Sequence, residues 1–199
     1  MKDWTGNRKT MATTLGASNL TDHERAEHDY YATPPRVGED LLRVYPIIEN
    51  IWECAYGQGH LAKGLGDAVK KKTDLIARPH FETGKLNEVS DFLFEETRWD
   101  GWIVTNPPFK YAKEFAFKAI ELASKGIALF LRIQFLESQK RQELFKKCPP
   151  KYVYVYVYAK RCPQCAFNGN FNKETGNAAT YAWFIWEKGF TGESIIRWI

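Results

Sequence analysis

No run in this 199-residue sequence approaches the ~20 consecutive apolar residues of a membrane-spanning helix, so an anchor of that kind is not expected. The opening residues, MKDWTGNRKTMATTLGASN, lack the apolar stretch of a secretion signal. Cysteine is scarce, at 4 residues, and without such a signal those thiols are expected to stay reduced in a cytosol. Only Cys162 and Cys165 are closely spaced, as Cys-Pro-Gln-Cys. A structural zinc site takes four ligands, and no histidine follows His80 to complete one, so no metal is expected. Nor does the pair open a helix after a strand, as thioredoxin-like redox pairs do. There is no strong excess of one charge: 28 basic and 24 acidic side chains leave +4, with a pI near 8.8. That balance tolerates a nucleic-acid partner without requiring one. Internal repeats and low-complexity tracts are missing as well.

What is present is ample core material, 44% hydrophobic and 15% aromatic residues, which excludes global disorder. Residues 1–28 are polar and irregular and are expected to form an arm. Residues 29–199 are expected to form one domain, with no separate target-recognition domain. Pro34 and Pro35 precede Val37, Leu41, Leu42 and Val44 at helical spacing, which predicts a helix soon after the prolines. IWECAY, 51–56, is a short apolar run that ends at Gly57 and reads as a buried parallel strand. GHLAKGLGDAVKKK then reads as a helix, and TDLIAR, 73–78, as a second strand. SDFLFEE, 90–96, marks the edge of a third strand or the turn after it.

WIVT, 102–105, predicts another core strand, and FKYAKEFAFKAIELASKG a helix with Gly126 as its stop. Strand IALFLRI, 127–133, and helix ESQKRQELFKKC follow. KYVYVYVYAK, 151–160, alternates tyrosine with valine at the period of a strand, and TYAWFIWEK, 180–188, reads as the final one. Strands alternating with helices argue an α/β fold with a mostly parallel sheet and helices on both faces. No helix separates the last two strands, so one of them is expected to run antiparallel near the C-terminus.

Ligands of such sheets bind beyond the carboxyl ends of the strands, so the residues there carry the functional information. After the first strand, Gly57 and Gly59 bracket Gln58, where glycine permits close backbone approach. A strand-to-helix turn favours glycine anyway, so this signal is weak alone. Glu53 sits within the strand, a costly place for a carboxylate unless something pairs with it. Asp74 follows Gly57 by 17 residues, near the spacing at which an acid grips ribose hydroxyls, although an ordinary solvated Asp fits as well. Asp91 beside Phe92 suits an adenine edge and face, or a plain turn cap. The strong signal is Asn106-Pro107-Pro108-Phe109 after the WIVT strand. A diproline flanked by Asn and an aromatic arises by chance in about one chain of this length in several hundred.

Together ECAYGQG, Asp74, SDFL and TNPPF resemble the class I S-adenosylmethionine-dependent methyltransferases that methylate the exocyclic N6 of adenine in DNA. The likeness runs from residue 29 to 188 and is nearest the short members borne by phages and prophages. It implies a Rossmann-like methyltransferase sheet, S-adenosyl-L-methionine as cofactor, DNA as partner and the cytoplasm of a bacterial host. In DYYATPP, Tyr31, Thr33 and Pro34 would close over the methionine end of the cofactor. Glu53, Ala55, Gly57, Gly59, Asp74, Asp91, Phe92 and Asn106 would hold the rest. Asn106, Pro107, Pro108 and Phe109 would form the catalytic corner, and Phe109, Lys110, Arg161, Phe167 and Phe171 would face the target base or its strand. Cys54 and Tyr56 depart from the family, which more often has proline and a small residue there.

The motif has a physical rationale. The adenine amino lone pair is delocalised into the ring, so N6 is a poor nucleophile. Two acceptors aimed at its N–H bonds, the Asn106 side-chain oxygen and the Pro107 carbonyl, favour localisation of that pair and stabilise the developing positive charge. Proline holds the corner rigid and has no N–H to repel the amino group. An RNA adenine or a protein glutamine amide presents the same two donors, so both stay open as substrates. A binding module that no longer transfers methyl is the remaining alternative.

Overall fold

The computed structural model describes residues 30–46, 49–156, 171 and 180–199. The expected arm, residues 1–28, lies outside them. Helix α1, Pro35–Val44, begins directly after Pro34 with a proline in its first turn, where a missing N–H costs nothing. Strand β1, Ile51–Glu53, is followed by helix α2, His60–Leu65, and strand β2, Val69–Asp74. Then come β3, Glu88–Val89; β4, Trp102–Thr105; helix α3, Ala112–Leu122; and β5, Gly126–Arg132. Helix α4, Gln142–Lys147, precedes β6, Tyr152–Val155; β7, Tyr181–Glu187; and β8, Ile195–Trp198.

The eight strands form one sheet in the order β3-β2-β1-β4-β5-β7-β6-β8. All neighbours pair in parallel except the two pairs that contain β7, which runs antiparallel to both β5 and β6. This is the expected mostly parallel sheet with one reversed strand. Alternate residues feed two cores. Ile103, Ile127, Leu129 and Phe184 pack with Phe115, Ala116, Ala119 and Leu122 of α3 on one face. Val104, Ala128, Phe130 and Trp183 pack with Val37 and Leu41 of α1 and Leu61 and Leu65 of α2 on the other. Strands buried on both sides explain why IALFLR and YAWFIW read as unbroken apolar runs.

Several boundaries differ from the sequence reading. The helix expected through the lysine run stops at Leu65, a single 3-10 turn covers Gly66–Ala68, and VKKKTD is the second strand. Three consecutive lysines suit this strand because β3 pairs only with Thr73 and Asp74, leaving the earlier part of β2 on an open edge. Lys71 lays its ammonium over the Trp52 ring at 3.8 Å and pairs with Glu95 at 3.2 Å. SDFLFEE is the turn rather than the strand: β3 lies just before it, and Phe92–Phe94 forms a 3-10 turn. Helix α3 ends at Leu122, and Gly126, expected as its stop, opens β5. A Cβ there would collide with the Trp186 carbonyl and stand 2.5 Å from the Trp102 ring. Strand β8 was not expected, so TYAWFIWEK is not the last strand. The far half of KYVYVYVYAK, residues 157–160, lies outside the described residues.

Candidate active site

The carboxyl ends of β1, β2, β4 and β5 share one edge of the sheet, and the strand order reverses between β1 and β4. A cavity of about 740 Å³ opens there, lined by residues that follow each of β1, β2 and β4 and by the segment before α1.

The turn after β1 carries Gly57 and Gly59 at φ of 57° and 87°, a region costly to any residue with a Cβ. The close approaches these glycines allow are to the protein itself. A Cβ at position 57 would run into the Tyr30 ring, and one at 59 into Tyr56 and, at 2.6 Å, His80. Tyr30 donates its hydroxyl to Gln58 Oε1 at 3.2 Å and accepts the Gln58 backbone N–H at 3.3 Å, while Arg78 covers the ring at 4.3 Å. Burial pushes the Tyr30 phenol up to about 12, which keeps it a neutral donor. Tyr56, one of the two departures from the family pattern, is likewise pushed up to about 12 by burial and then by the Glu53 charge. Cys54, the other departure, is buried, and that burial holds its thiol protonated.

Three acids line the cavity. Glu53 is 1% exposed, and its Oε2 has no hydrogen-bond partner among the described residues. Burial, then the neighbouring Asp74 charge, raises its carboxyl well above the usual carboxylate range. Asp74 accepts the Gly57 N–H at 2.7 Å on one oxygen and the Ile76 N–H at 3.0 Å on the other, so it ties the glycine turn to the end of β2. Asp91 caps the turn after β3 by accepting the Leu93 N–H at 3.1 Å. Phe92 beside it borders the cavity but is 2% exposed, packed edge-on to Trp52 at 5.3 Å and against Phe115 at 5.0 Å. The exposed apolar groups at this end of the cavity are Leu75 and Phe94. Sequence reasoning passed over both because neither belongs to a motif.

The diproline corner leaves the end of β4 and also lines the cavity. Asn106 donates its side-chain N–H to Thr33 Oγ1 at 2.8 Å. The Pro108 carbonyl accepts the Tyr111 N–H at 3.0 Å, closing a 3-10 turn over Phe109–Tyr111. Phe109 faces Tyr31 with ring centroids 6.2 Å apart and planes 28° from parallel. Tyr181 lies 6.1 Å from Phe109 on another side, and the Arg132 guanidinium is 4.9 Å from its centroid. Tyr30, Arg78, Arg132 and Tyr181 thus join the site; position at a strand end could have signalled only Arg132 and Tyr181.

Among the other expected residues, Tyr31, Thr33, Ala55 and Lys110 border the cavity, and Pro34 precedes α1. Phe171 lies edge-on to His60 at 5.3 Å, on the glycine-turn side. Arg161, Phe167, Cys162 and Cys165 lie outside the described residues. Among the described residues no cluster of His, Cys, Asp or Glu has the arrangement of a metal site, and no helix is long and apolar enough to cross a membrane.

The chain has the class I methyltransferase fold. No family model matches it, and no curated protein matches by sequence. Among solved structures it is similar to a protein from Listeria monocytogenes described as a class I S-adenosylmethionine-dependent methyltransferase. That pair shares 12% identity with a TM-score of 0.59, over 96% of this chain and 71% of the other. It is also similar to a type I restriction enzyme modification subunit from Vibrio vulnificus, at 13% identity and a TM-score of 0.55, over 96% of this chain and 51% of that one. A dimethyladenosine transferase from Plasmodium falciparum aligns at 16% identity and a TM-score of 0.52, over 79% of this chain and 62% of its own.

Proposed function

We propose that this chain is an S-adenosylmethionine-dependent methyltransferase that acts on the exocyclic N6 amino group of adenine in DNA. One observation carries the reading: the Asn106-Pro107-Pro108-Phe109 corner borders the same cavity as the buried Glu53 and as Asp74. The Thr33 hydroxyl takes up the Asn106 amide N–H, which makes Oδ1 the end that accepts from a substrate amino group. The Pro107 carbonyl of the same corner is the second acceptor in this reading. Both oxygens stand on a stiff support, so little reorganisation accompanies the charge that develops on nitrogen.

The residues present fit the cofactor. Glu53, with a buried oxygen lacking a partner among the described residues, suits the cationic methionine end; Asp74 suits ribose hydroxyls; Leu75 and Phe94 offer apolar surface to the adenine. When bound, S-adenosylmethionine supplies a methyl group on a cationic sulfur, reactive toward an amine without metal assistance. The protein contributes alignment and exclusion of water.

The target base fits between Tyr31 and Phe109. Their centroids lie 6.2 Å apart with planes 28° from parallel, so a base enters as the two rings separate. This reading moves Tyr31 from the cofactor to the base. Lys110 and Arg132, both exposed beside Phe109, suit backbone phosphates. An adenine in duplex DNA reaches such a slot only when flipped from the stack. Two proteins of the same fold, named as a dimethyladenosine transferase and a restriction-enzyme modification subunit, are in keeping with a nucleic-acid substrate.

The test supplies the purified chain with methyl-labelled cofactor and, separately, DNA, RNA and protein, followed by mass spectrometry of the digests. N6-methyladenine in DNA is expected, and Asn106→Ala should abolish it while leaving cofactor affinity nearly unchanged. Label only in RNA or in glutamine refutes the DNA assignment, and cofactor binding with no transfer to any of them refutes the enzyme.

A further inference from the structure

Strand β8 closes the sheet beyond β6, and all four of its residues are exposed. Ile195, Ile196 and Trp198 are 43%, 55% and 69% exposed, so apolar surface lies bare on both faces of the strand. Among the described residues one backbone edge is used: Ile195 and Ile199 donate their N–H groups to the carbonyls of Lys151, just before β6, and Val155, its last residue. Strand alternation therefore turns the N–H and C=O groups of Ile196 and Trp198 toward the open edge. Natural proteins protect such edges, and an apolar one left bare is a template for another strand.

We propose that β8 pairs antiparallel with β8 of a second copy, across a two-fold axis at Ile195. Charge selects both the occupant and the register. Glu193 and Arg197 lie two residues to either side of Ile195. With the axis there, Glu193 of each copy faces Arg197 of the other, and Ile195 faces its own counterpart. Ser194 and Ile196, whose backbone groups point to the open edge, form the hydrogen-bonded pairs. Glu193, Arg197 and Ile195 fall in the non-bonded pairs, where side chains approach most closely. An axis at Ile196 instead sets Arg197 against Ile195 and Glu193 against Ile199, so both charges face isoleucine. An isologous contact of this kind closes on itself and makes a dimer rather than a filament. The two sheets become one continuous sheet, with the active-site edges outside the joint.

Sedimentation velocity on the full chain over a concentration series tests the pairing. A dimer is expected, weakened at least tenfold by Arg197→Glu and restored by combining Glu193→Arg with Arg197→Glu. Cysteine substitution locates the axis without changing charge. Ile195→Cys should cross-link to itself on mild oxidation, as mapped by peptide mass spectrometry, and Ile196→Cys should not. A monomer at every concentration, a dimer indifferent to Arg197→Glu, or a cross-link at position 196 in place of 195 overturns the proposal. Circular dichroism on each variant separates lost pairing from lost folding.

Discussion

Asn106 at the end of β4 is hydrogen-bonded through its side-chain N–H to Thr33 Oγ1, two residues before α1 begins, at 2.8 Å. The bond joins the segment that leads into α1 to the corner proposed to hold the reactive amino group. It also fixes the orientation of the amide, whose Oδ1 is its acceptor.

Thr33→Val is expected to lower kcat about tenfold, the worth of one ordinary hydrogen bond, because the Asn106 amide loses the partner that orients it. Cofactor affinity measured by calorimetry should change little. A drop in affinity with kcat intact would show that Thr33 serves the cofactor instead.

Glu53, proposed to face the cationic end of the cofactor, is expected to make cofactor binding depend on pH. Its raised pKa in the free protein means that the carboxyl holds its proton above the ordinary carboxylate range. A cationic ligand favours the ionised form, so binding releases a proton and affinity should rise with pH until the free protein ionises. The same shift favours folding below the ordinary carboxylate pKa, and that contribution is lost as pH rises through the folded value. Glu53→Gln should flatten the pH profile of the dissociation constant, and an unchanged slope would assign the proton elsewhere.

Asp74→Ala should weaken cofactor binding and also lower the melting temperature, since the Gly57 and Ile76 N–H groups lose their acceptors. The stability cost is about 1–3 kcal/mol. Asp74→Asn keeps one accepting oxygen and should fall between. Unaltered thermal stability in the alanine variant would mean that other groups hold the turn.

Gly126→Ala should destabilise the fold by about 1–3 kcal/mol or more, because the added methyl meets the Trp186 carbonyl and the Trp102 ring in a packed sheet. Denaturant unfolding checks this. Far from the cavity, the change should leave cofactor affinity at working temperature intact.

The layered plan was legible because strands buried on both faces announce themselves as apolar runs, and the NPPF corner because its composition is rare. The strand VKKKTD was not legible. Its lysines read as solvated helix until the structure shows Lys71 resting its ammonium on Trp52 at an open edge. Gly126 marked a tight place, but sequence does not say whether tightness comes from a helix end or from two tryptophans. Strand β8 was invisible because IIRW is too short to show a period and derives its partner from β6. Within the site, acids and glycines stood out by type. Tyr30, Arg78 and Tyr181 did not, since their roles arise from segments far apart in the chain.

The seat of Tyr30 on Gly57 has an evolutionary corollary. Alanine at position 57 is barred twice, by a φ of 57° and by the ring that lies against it. Shrinking residue 30 lifts the second bar and leaves the first. The dependence between the two positions therefore runs one way: a lineage can shed the tyrosine while retaining the glycine, whereas the glycine cannot be replaced until the tyrosine has gone.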